Sequence, residues 1–378
     1  MTAGGGLPRI VLTFGTRPEA IKMFPVVTAL RETGRFDVKV VVTAQHRELL
    51  DSVLALAGIT PDIDLDLMQP DQTLDGLASR ILTSFGAALD ALKPDRVLVH
   101  GDTLTTMMAS IACYFRRIPV GHVEAGLRSG DVYSPWPEEV NRKVTGVIAD
   151  LHFAPTATAA AALRAENVSE SAIHVTGNTV IDALLYAQER IAADPSLAPA
   201  IAPLKERFAG KRIIAVTAHR RENFGAGMEE IAKGLQQLAR RDDVAIIYPL
   251  HPNPNVGGVM RPALAGFDNV ALINPLDYLD FVAMMAVSDI VLTDSGGIQE
   301  EAPSLGKPVL VMRDTTERPE GVAAGTARLV GTDSSVIVEQ TTRLLNDSEA
   351  YTQMAQAHNP YGNGTASRQI AELLVSLA

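Results

Sequence analysis

Two doubly wound α/β domains, each a parallel sheet covered by helices, are the architecture that this 378-residue sequence predicts. Three observations predict it. Short β-branched runs alternate with stretches whose apolar residues fall at helical spacing, the pattern of buried parallel strands joined by right-handed crossovers. The pattern occurs twice. Between the two series lies an Ala- and Pro-rich segment, "AQERIAADPSLAPAIAPLKERFAGKR", around which the strands restart.

In the first half the apolar runs are "RIVLTFG", "KVVVTA" and "RVLVHGD", with "DGLASRILTSFGAALDAL" as a typical intervening helix. The second half has "RIIAVTAH", "VAIIYPLH", "VALINP", "DIVLTDSGG" and "PVLVMR". The boundary is expected near residues 176 to 182. That gives an N-terminal Rossmann-like domain over residues 1–178 and a C-terminal one over 179–361, facing each other across a cleft. The closing amphipathic stretch, about 362–378, could cap either half and is assigned here to the first.

Composition narrows the function. At 47% hydrophobic residues there is ample core for two domains, and the net charge of −11 argues against a nucleic-acid binder. A local cationic pocket for a small anion stays open. The single cysteine, Cys113, excludes a disulfide framework and a cysteine zinc site, and its apolar surroundings "MMASIACYF" read as core. The opening residues do not read as a signal peptide, and no run of eighteen apolar residues suggests a membrane span. The expectation is a cytoplasmic protein without membrane or nucleic-acid partners and without a metal.

Ligands of doubly wound sheets sit at the carboxyl ends of the strands, near the switch in strand order. Ionisable residues recur at those ends: Arg17, His46, His100, Asp102, His122, Glu124, His219, Arg220, His251 and Asp294. Any one of them could be a strand end meeting solvent; the series points to a lined site. In "FGTRPEAIKMFPV", Thr16 reads as an N-cap and Pro18 and Glu19 open a helix, with Ile21, Phe24 and Val27 facing inward. Arg17 and Lys22 lie near its anion-favouring start. In "TDSGGIQEEAPSLGKP", the backbone N–H groups of Ser295, Gly296 and Gly297 can approach a diphosphate, with Glu301 placed to accept from ribose hydroxyls. "RDTTERPEG" adds Arg313 and Arg318. Neither a G-x-G-x-x-G nor a G-x-x-x-x-G-K-[ST] occurs, so a bound nicotinamide or an ATPase loses its usual support.

Together, "GTRPEAIKMFP", "TAQHRELLD", "VHGDTLTT", "GHVEAGLRSG", "PWPEEVNR", "TGNTVIDAL", "TAHRRENFG" and "DSGGIQEEAPSLGKPVLVMRDTTERPEG" resemble the bacterial non-hydrolysing UDP-N-acetylglucosamine 2-epimerases, in the family's order from residue 9 to about 331. The resemblance implies the GT-B architecture, a homodimer, and reversible conversion of UDP-GlcNAc to UDP-ManNAc with no external cofactor. C2 of the sugar adjoins no carbonyl, so simple deprotonation would be far too slow. Eliminating UDP to 2-acetamidoglucal and adding it back with a proton on the other face inverts C2. The route needs an acid and a base near C2 and cations or helix N-termini for departing UDP.

By the same resemblance, Asp102, Glu124, Glu138 and His219 are the catalytic candidates. Arg17, Lys22, Phe281, Ser295, Gly296, Gly297, Glu301 and Arg318 match substrate- and UDP-binding positions. Clustered carboxyls are expected to raise one another's proton affinity, and the aromatic and glycine residues between Glu124 and Glu138 to shape their loop. Gln45, Glu138, Arg220 and His251 match a pocket in which some members hold a second UDP-GlcNAc as activator. Glu48 and Asp71 stand there where such relatives carry Gln and Arg, and Leu276 replaces a glutamine near the uracil. The rival readings are a hydrolysing epimerase, a GT-B glycosyltransferase and a non-enzymatic sugar-nucleotide sensor.

Overall fold

The computed structural model describes residues 6–43, 47–69 and 72–378. The chain divides into two units, Met1–Ala183 with Tyr361–Ala378, and Leu184–Pro360. The first unit holds strands β1 (Arg9–Phe14), β2 (Asp37–Val42), β3 (Ile63–Asp64), β4 (Arg96–His100), β5 (Val120–Val123), β6 (Leu151–Ala154) and β7 (Ile173–Val175). The second holds β8 (Arg212–Thr217), β9 (Val244–Pro249), β10 (Val270–Ile273), β11 (Ile290–Thr293), β12 (Val309–Val311) and β13 (Ala327–Leu329).

Within each unit the strands form a single sheet, and the two sheets follow one plan. The orders are β3-β2-β1-β4-β5-β6-β7 and β10-β9-β8-β11-β12-β13. Every pairing between these strands is parallel. Each sheet is therefore doubly wound, with its switch between β1 and β4 in the first unit and between β8 and β11 in the second. That is where a doubly wound sheet leaves room for a ligand.

Burial explains the strand composition. Val11, Leu12 and Phe14 of β1, Val97 to Val99 of β4, and Ile246 and Ile247 of β9 are all fully buried. Helices cover both faces, so these runs cannot alternate with polar residues. In the first unit Phe85, Leu89, Ala109, Cys113 and Val120 share one cluster, which places the cysteine in the core.

The helices start where their caps demand. Thr16 accepts from the Glu19 amide and Glu19 answers toward Thr16, a capping box that opens Arg17–Glu32. Thr103 caps Leu104–Arg116, accepting from the Thr106 amide. The last helix, Ala366–Leu377, lies on the first unit. Its first amides, of Ala366 and Ser367, donate to the buried Asp182 carboxylate at 3.2 and 2.8 Å, so a side chain from the helix Thr179–Ala193 satisfies groups that the helix itself leaves orphaned. No helix among the described residues is long and apolar enough to cross a membrane.

Candidate active site

In the first unit the loops after β1, β4 and β5 are fastened together by buried carboxylates. Glu19 is 2% exposed. Its Oε2 accepts from the amides of Gly15 (3.1 Å) and Thr16 (2.8 Å), while Oε1 accepts from the hydroxyls of Thr103 (2.7 Å) and Thr106 (3.3 Å). Burial pushes its proton affinity up, against those hydrogen bonds. The residue read as a helix opener also ties the two central loops of the sheet to each other.

Asp102, just beyond β4, meets Arg142 through two donors on one oxygen, at 3.0 and 2.7 Å. Its own backbone carbonyl accepts from Asn141 at 2.8 Å. Burial raises its proton affinity; Arg142 pulls it down and Glu124 adds to the rise. The expected mutual effect of the carboxyls is therefore present, but burial is the larger cause.

Glu124, just beyond β5, has a backbone φ of +61°, a region a non-glycine side chain enters only when its surroundings hold it there. Here they do. Its Oε2 is ion-paired with Lys22 and accepts from Asn178 at 2.8 Å, with His100 Nε2 3.9 Å away. Lys22, placed by the resemblance on the substrate, is thus also the counter-ion of Glu124. Arg17 holds the first position of its helix.

Glu138 opens the helix Glu138–Ile148, whose Asn141 and Arg142 hold Asp102. No hydrogen bond or ion pair among the described residues joins Glu138 to Asp102 or Glu124. Its neighbour Glu139 is fully buried and accepts from the amides of Ser129 (3.1 Å) and Gly130 (3.3 Å) and from Arg142 (3.1 Å). The expectation that aromatic residues shape this loop fails, because Tyr133 is 79% exposed and Trp136 62%. The buried Glu139 shapes it instead, with Gly126, where a Cβ would lie 2.3 Å from the Ala159 carbonyl oxygen.

The second unit repeats the device. Asp294, beyond β11 and fully buried, accepts through Oδ2 from the amides of His219 and Arg220, both at 2.8 Å, and from Asn223 at 3.1 Å. His219 stacks on His251 with ring centroids 5.4 Å apart and planes 13° from parallel. Burial lowers the proton affinity of His219; Asp294 raises it, and His251 and Arg220 lower it further.

Ser295 caps the helix Gly296–Ser304 without a side-chain hydrogen bond. Its own N–H is not available to a ligand, since it donates to Thr293 Oγ1 at 2.9 Å. Gly296 and Gly297 are the better anion donors, as a Cβ on Gly297 would meet nothing within 4 Å. Arg318 is ion-paired with the buried Glu300 and its N–H donates to Thr316 at 3.0 Å. Thr316 in turn donates to Gln299 at 2.7 Å, joining the loops after β11 and β12. Arg313, 8% exposed, bridges Glu222 and Glu317 at 2.5 Å each, and Arg220 reaches Glu317 at 3.4 Å. Glu301 lies in the helix Gly296–Ser304, and Phe281, half-buried, in Tyr278–Val287. Of the activator positions, Arg220 and His251 fall in this unit and Glu138 in the first; Gln45 and Asp71, with the Glu48 side chain, lie outside the described residues.

Four residues carry roles that spacing did not reveal: Glu19, Glu139, Asp294 and His122. The last is buried on β5, and its Nε2 donates to the Gly101 carbonyl at 2.7 Å, beside Asp102. Asp294 and His122 give a signal in the sequence as strand-end residues and Glu19 as a helix opener; Glu139 gives none.

The chain matches the family model described as UDP-N-acetylglucosamine 2-epimerase over residues 28–375. It is 55% identical over 370 residues to the UDP-N-acetylglucosamine 2-epimerase of Escherichia coli K12, covering 97% of this chain and 98% of that one. The crystal structure of the Neisseria meningitidis enzyme bound to UDP-GlcNAc is 48% identical, with a TM-score of 0.88 over 97% of this chain and all of that one. The Methanocaldococcus jannaschii enzyme in complex with UDP-GlcNAc and UDP is 31% identical, with a TM-score of 0.76 over 97% and 99%.

Two buried histidines set an acid-sensitivity test. Burial holds His100 at about 4, with Glu124 pulling up and Lys22 down, and holds His122 at about 3 against its bond to Gly101. The unfolded chain takes these protons near 6.5 and the folded chain refuses them. Their contribution is therefore whole above pH 6.5 and is lost as pH falls toward 3 to 4. The raised carboxyls of Glu19 and Asp102 act in the opposite sense, so the histidine share is read by difference. A glutamine at 122 keeps a donor for Gly101 but does not titrate. Between pH 7 and 5, urea unfolding should show the wild type losing about 2 kcal/mol more than His122→Gln. Equal losses would contradict the assignment of His122 as buried and neutral.

Proposed function

Because the chain belongs to the UDP-N-acetylglucosamine 2-epimerase family, we propose that it inverts C2 of UDP-GlcNAc to give UDP-ManNAc by eliminating UDP and adding it back, without hydrolysis. The observation that carries this reading is the contrast between two neighbouring carboxyls. Asp102 is pushed by burial toward its protonated form, whereas Glu124 is paired with Lys22 and Asn178. A carboxyl raised by burial beside an ion-paired one suits the roles of acid and base.

Glu124 takes the C2 proton as the C2–H electrons form the C1–C2 double bond and the C1–O pair leaves with UDP. Asp102 gives a proton to the opposite face of C2 as UDP returns to C1. Lys22 offsets the charge of Glu124, and Arg142 orients Asp102. Departing UDP is received by the amides of Gly296 and Gly297 at a helix N-terminus without a side-chain cap, by Arg318 and by His219. Glu301 contacts the ribose and Phe281 the uracil. The first unit thus supplies proton handling and the second supplies nucleotide binding.

We also propose a homodimer through the first unit. Tyr114 and Phe115 on Leu104–Arg116 are 66% and 65% exposed, and Val147 on the adjoining Glu138–Ile148 is 87% exposed. Such apolar exposure on neighbouring helices suits a second copy. Sedimentation at micromolar concentration should give twice the 40.3 kDa chain mass, and Val147→Asp should shift it toward the monomer. A monomeric wild type would refute the dimer.

The reaction itself is tested by NMR of enzyme with UDP-GlcNAc. UDP-ManNAc should accumulate without free ManNAc; free ManNAc would mean hydrolysis. Glu124→Gln should abolish turnover with UDP affinity kept within about tenfold. Arg318→Ala should weaken UDP by about 1.5–3 kcal/mol, the scale of a charge-assisted hydrogen bond. Equal affinity losses in both variants would undo the division of labour.

A further inference from the structure

We propose that Asp294 is a positioning residue that fixes the His219 ring with its proton on Nδ1 and presents Nε2 to the substrate's diphosphate. The inference rests on the reading of His219 as a residue that receives departing UDP.

The geometry around Asp294 is asymmetric. Its Oδ2 is saturated by two backbone amides and the Asn223 amide. Its Oδ1 is buried and makes no hydrogen bond to any described residue, and His219 Nδ1 lies 3.4 Å from it. No lysine or arginine among the described residues pairs with Asp294, so His219 is its one ion-pair partner there. A carboxylate taken wholly out of water is costly unless a donor or cation meets it. The one side chain placed to meet Oδ1 is the imidazole, and it can do so only with Nδ1 protonated. Nε2, on the far side of a ring whose side chain is 38% exposed, is then the atom left to the ligand. The 3.4 Å separation is long for a hydrogen bond, as pairs in unliganded sites often are before substrate draws them together.

The remaining neighbours hold this arrangement from each packed element. The Asp294 backbone is fixed to β8 through its amide on the Thr217 carbonyl at 3.1 Å. From the end of β9, His251 stacks on the ring, and the Asn253 amide donates to His251 Nδ1 at 3.1 Å. That bond leaves the proton of neutral His251 on Nε2. Tyr248 of β9 donates to the Ala218 carbonyl at 3.0 Å, just ahead of His219. On the histidine's own loop Arg220 is engaged with Glu317, and Glu317 and Glu222 share Arg313 from the loop after β12. Only Asp294, among these charged groups, faces the ring with a free acceptor.

The role follows without a covalent step. Nε2 donates a hydrogen bond to the diphosphate as the C1–O pair moves onto it, and the carboxylate behind Nδ1 supports the positive ring that suits that charge. Losing the carboxylate would leave burial, His251 and Arg220 all opposing the protonated ring.

Two measurements on the full chain test this. In resting wild-type enzyme, ¹⁵N-histidine NMR above the His219 titration should show neutral His219 protonated on Nδ1 with Nε2 bare. The opposite tautomer would overturn the proposal without reference to turnover. Asp294→Asn keeps the shape and an acceptor for the two amides. It should lower kcat by at least a hundredfold with KM changed less than threefold, and move the alkaline limb of the pH–rate profile to lower pH. An unmoved limb in a folded Asp294→Asn protein would equally overturn it. If that variant does not fold, the tautomer of the wild type decides alone. Epimerisation by the wild type is read separately, so failure of the dyad and failure of the proposed reaction are distinguishable.

Discussion

Where the strand order of a doubly wound sheet reverses, the two central strands send their loops in opposite directions, and the first backbone amides of those loops find no ladder partner. Each unit solves this with one buried carboxylate. Glu19 takes the amides of Gly15 and Thr16 and reaches across to Thr103 and Thr106. Asp294 takes the amides of His219 and Arg220. Within each unit the candidate residues depend on its anchor: Glu19 fixes the start of the helix that carries Lys22 and the loop that carries Asp102, and Asp294 fixes the loop that carries His219 and leads into the helix Gly296–Ser304.

The same economy appears one layer out. A buried ion pair or hydrogen bond is worth little net stability when its desolvation is counted, so these contacts are better read as orienting devices. Arg142 spans Glu139 and Asp102, joining the residue that holds the 129–130 turn to a residue assigned to chemistry. Gln299 and Thr316 join the two loops at the nucleotide end. Glu300 holds Arg318 as Lys22 holds Glu124. Asp102 and Arg318 are thus each met by a less exposed partner that limits where they point.

Much of this was legible from the sequence, for physical reasons. Strands such as Arg9–Phe14, Arg96–His100 and Ile290–Thr293 are buried on both faces, so they read as unbroken apolar runs, and the residues after them read as site candidates. Ile63–Asp64, Leu151–Ala154, Ile173–Val175 and Ala327–Leu329 do not stand out in the sequence: they are two to four residues long, and pairing with neighbours, not local propensity, makes them strands. Glu19 looked like a capping residue, and it is one; nothing local shows that its second oxygen serves a loop more than 80 residues away. Trp136 suggested a structural aromatic, yet it is exposed while the unremarked Glu139 is buried. The sequence presents the Ser295 amide as open to a ligand, whereas Thr293 occupies it. Such errors share one origin, because tertiary hydrogen bonds compete for groups that the sequence shows only as available.

The central claim is that C1 parts from UDP in every turnover while C2 exchanges its proton between two side chains. The direct measurement uses UDP-GlcNAc carrying ¹⁸O in the bridge between C1 and the β-phosphate, converted in D₂O and followed by NMR. Elimination predicts deuterium at C2 of the UDP-ManNAc and migration of the label into the non-bridging β-phosphate oxygens as the freed phosphate rotates. Deuterium at C2 with the label still wholly in the bridge, and no glycal released on long incubation, would contradict it.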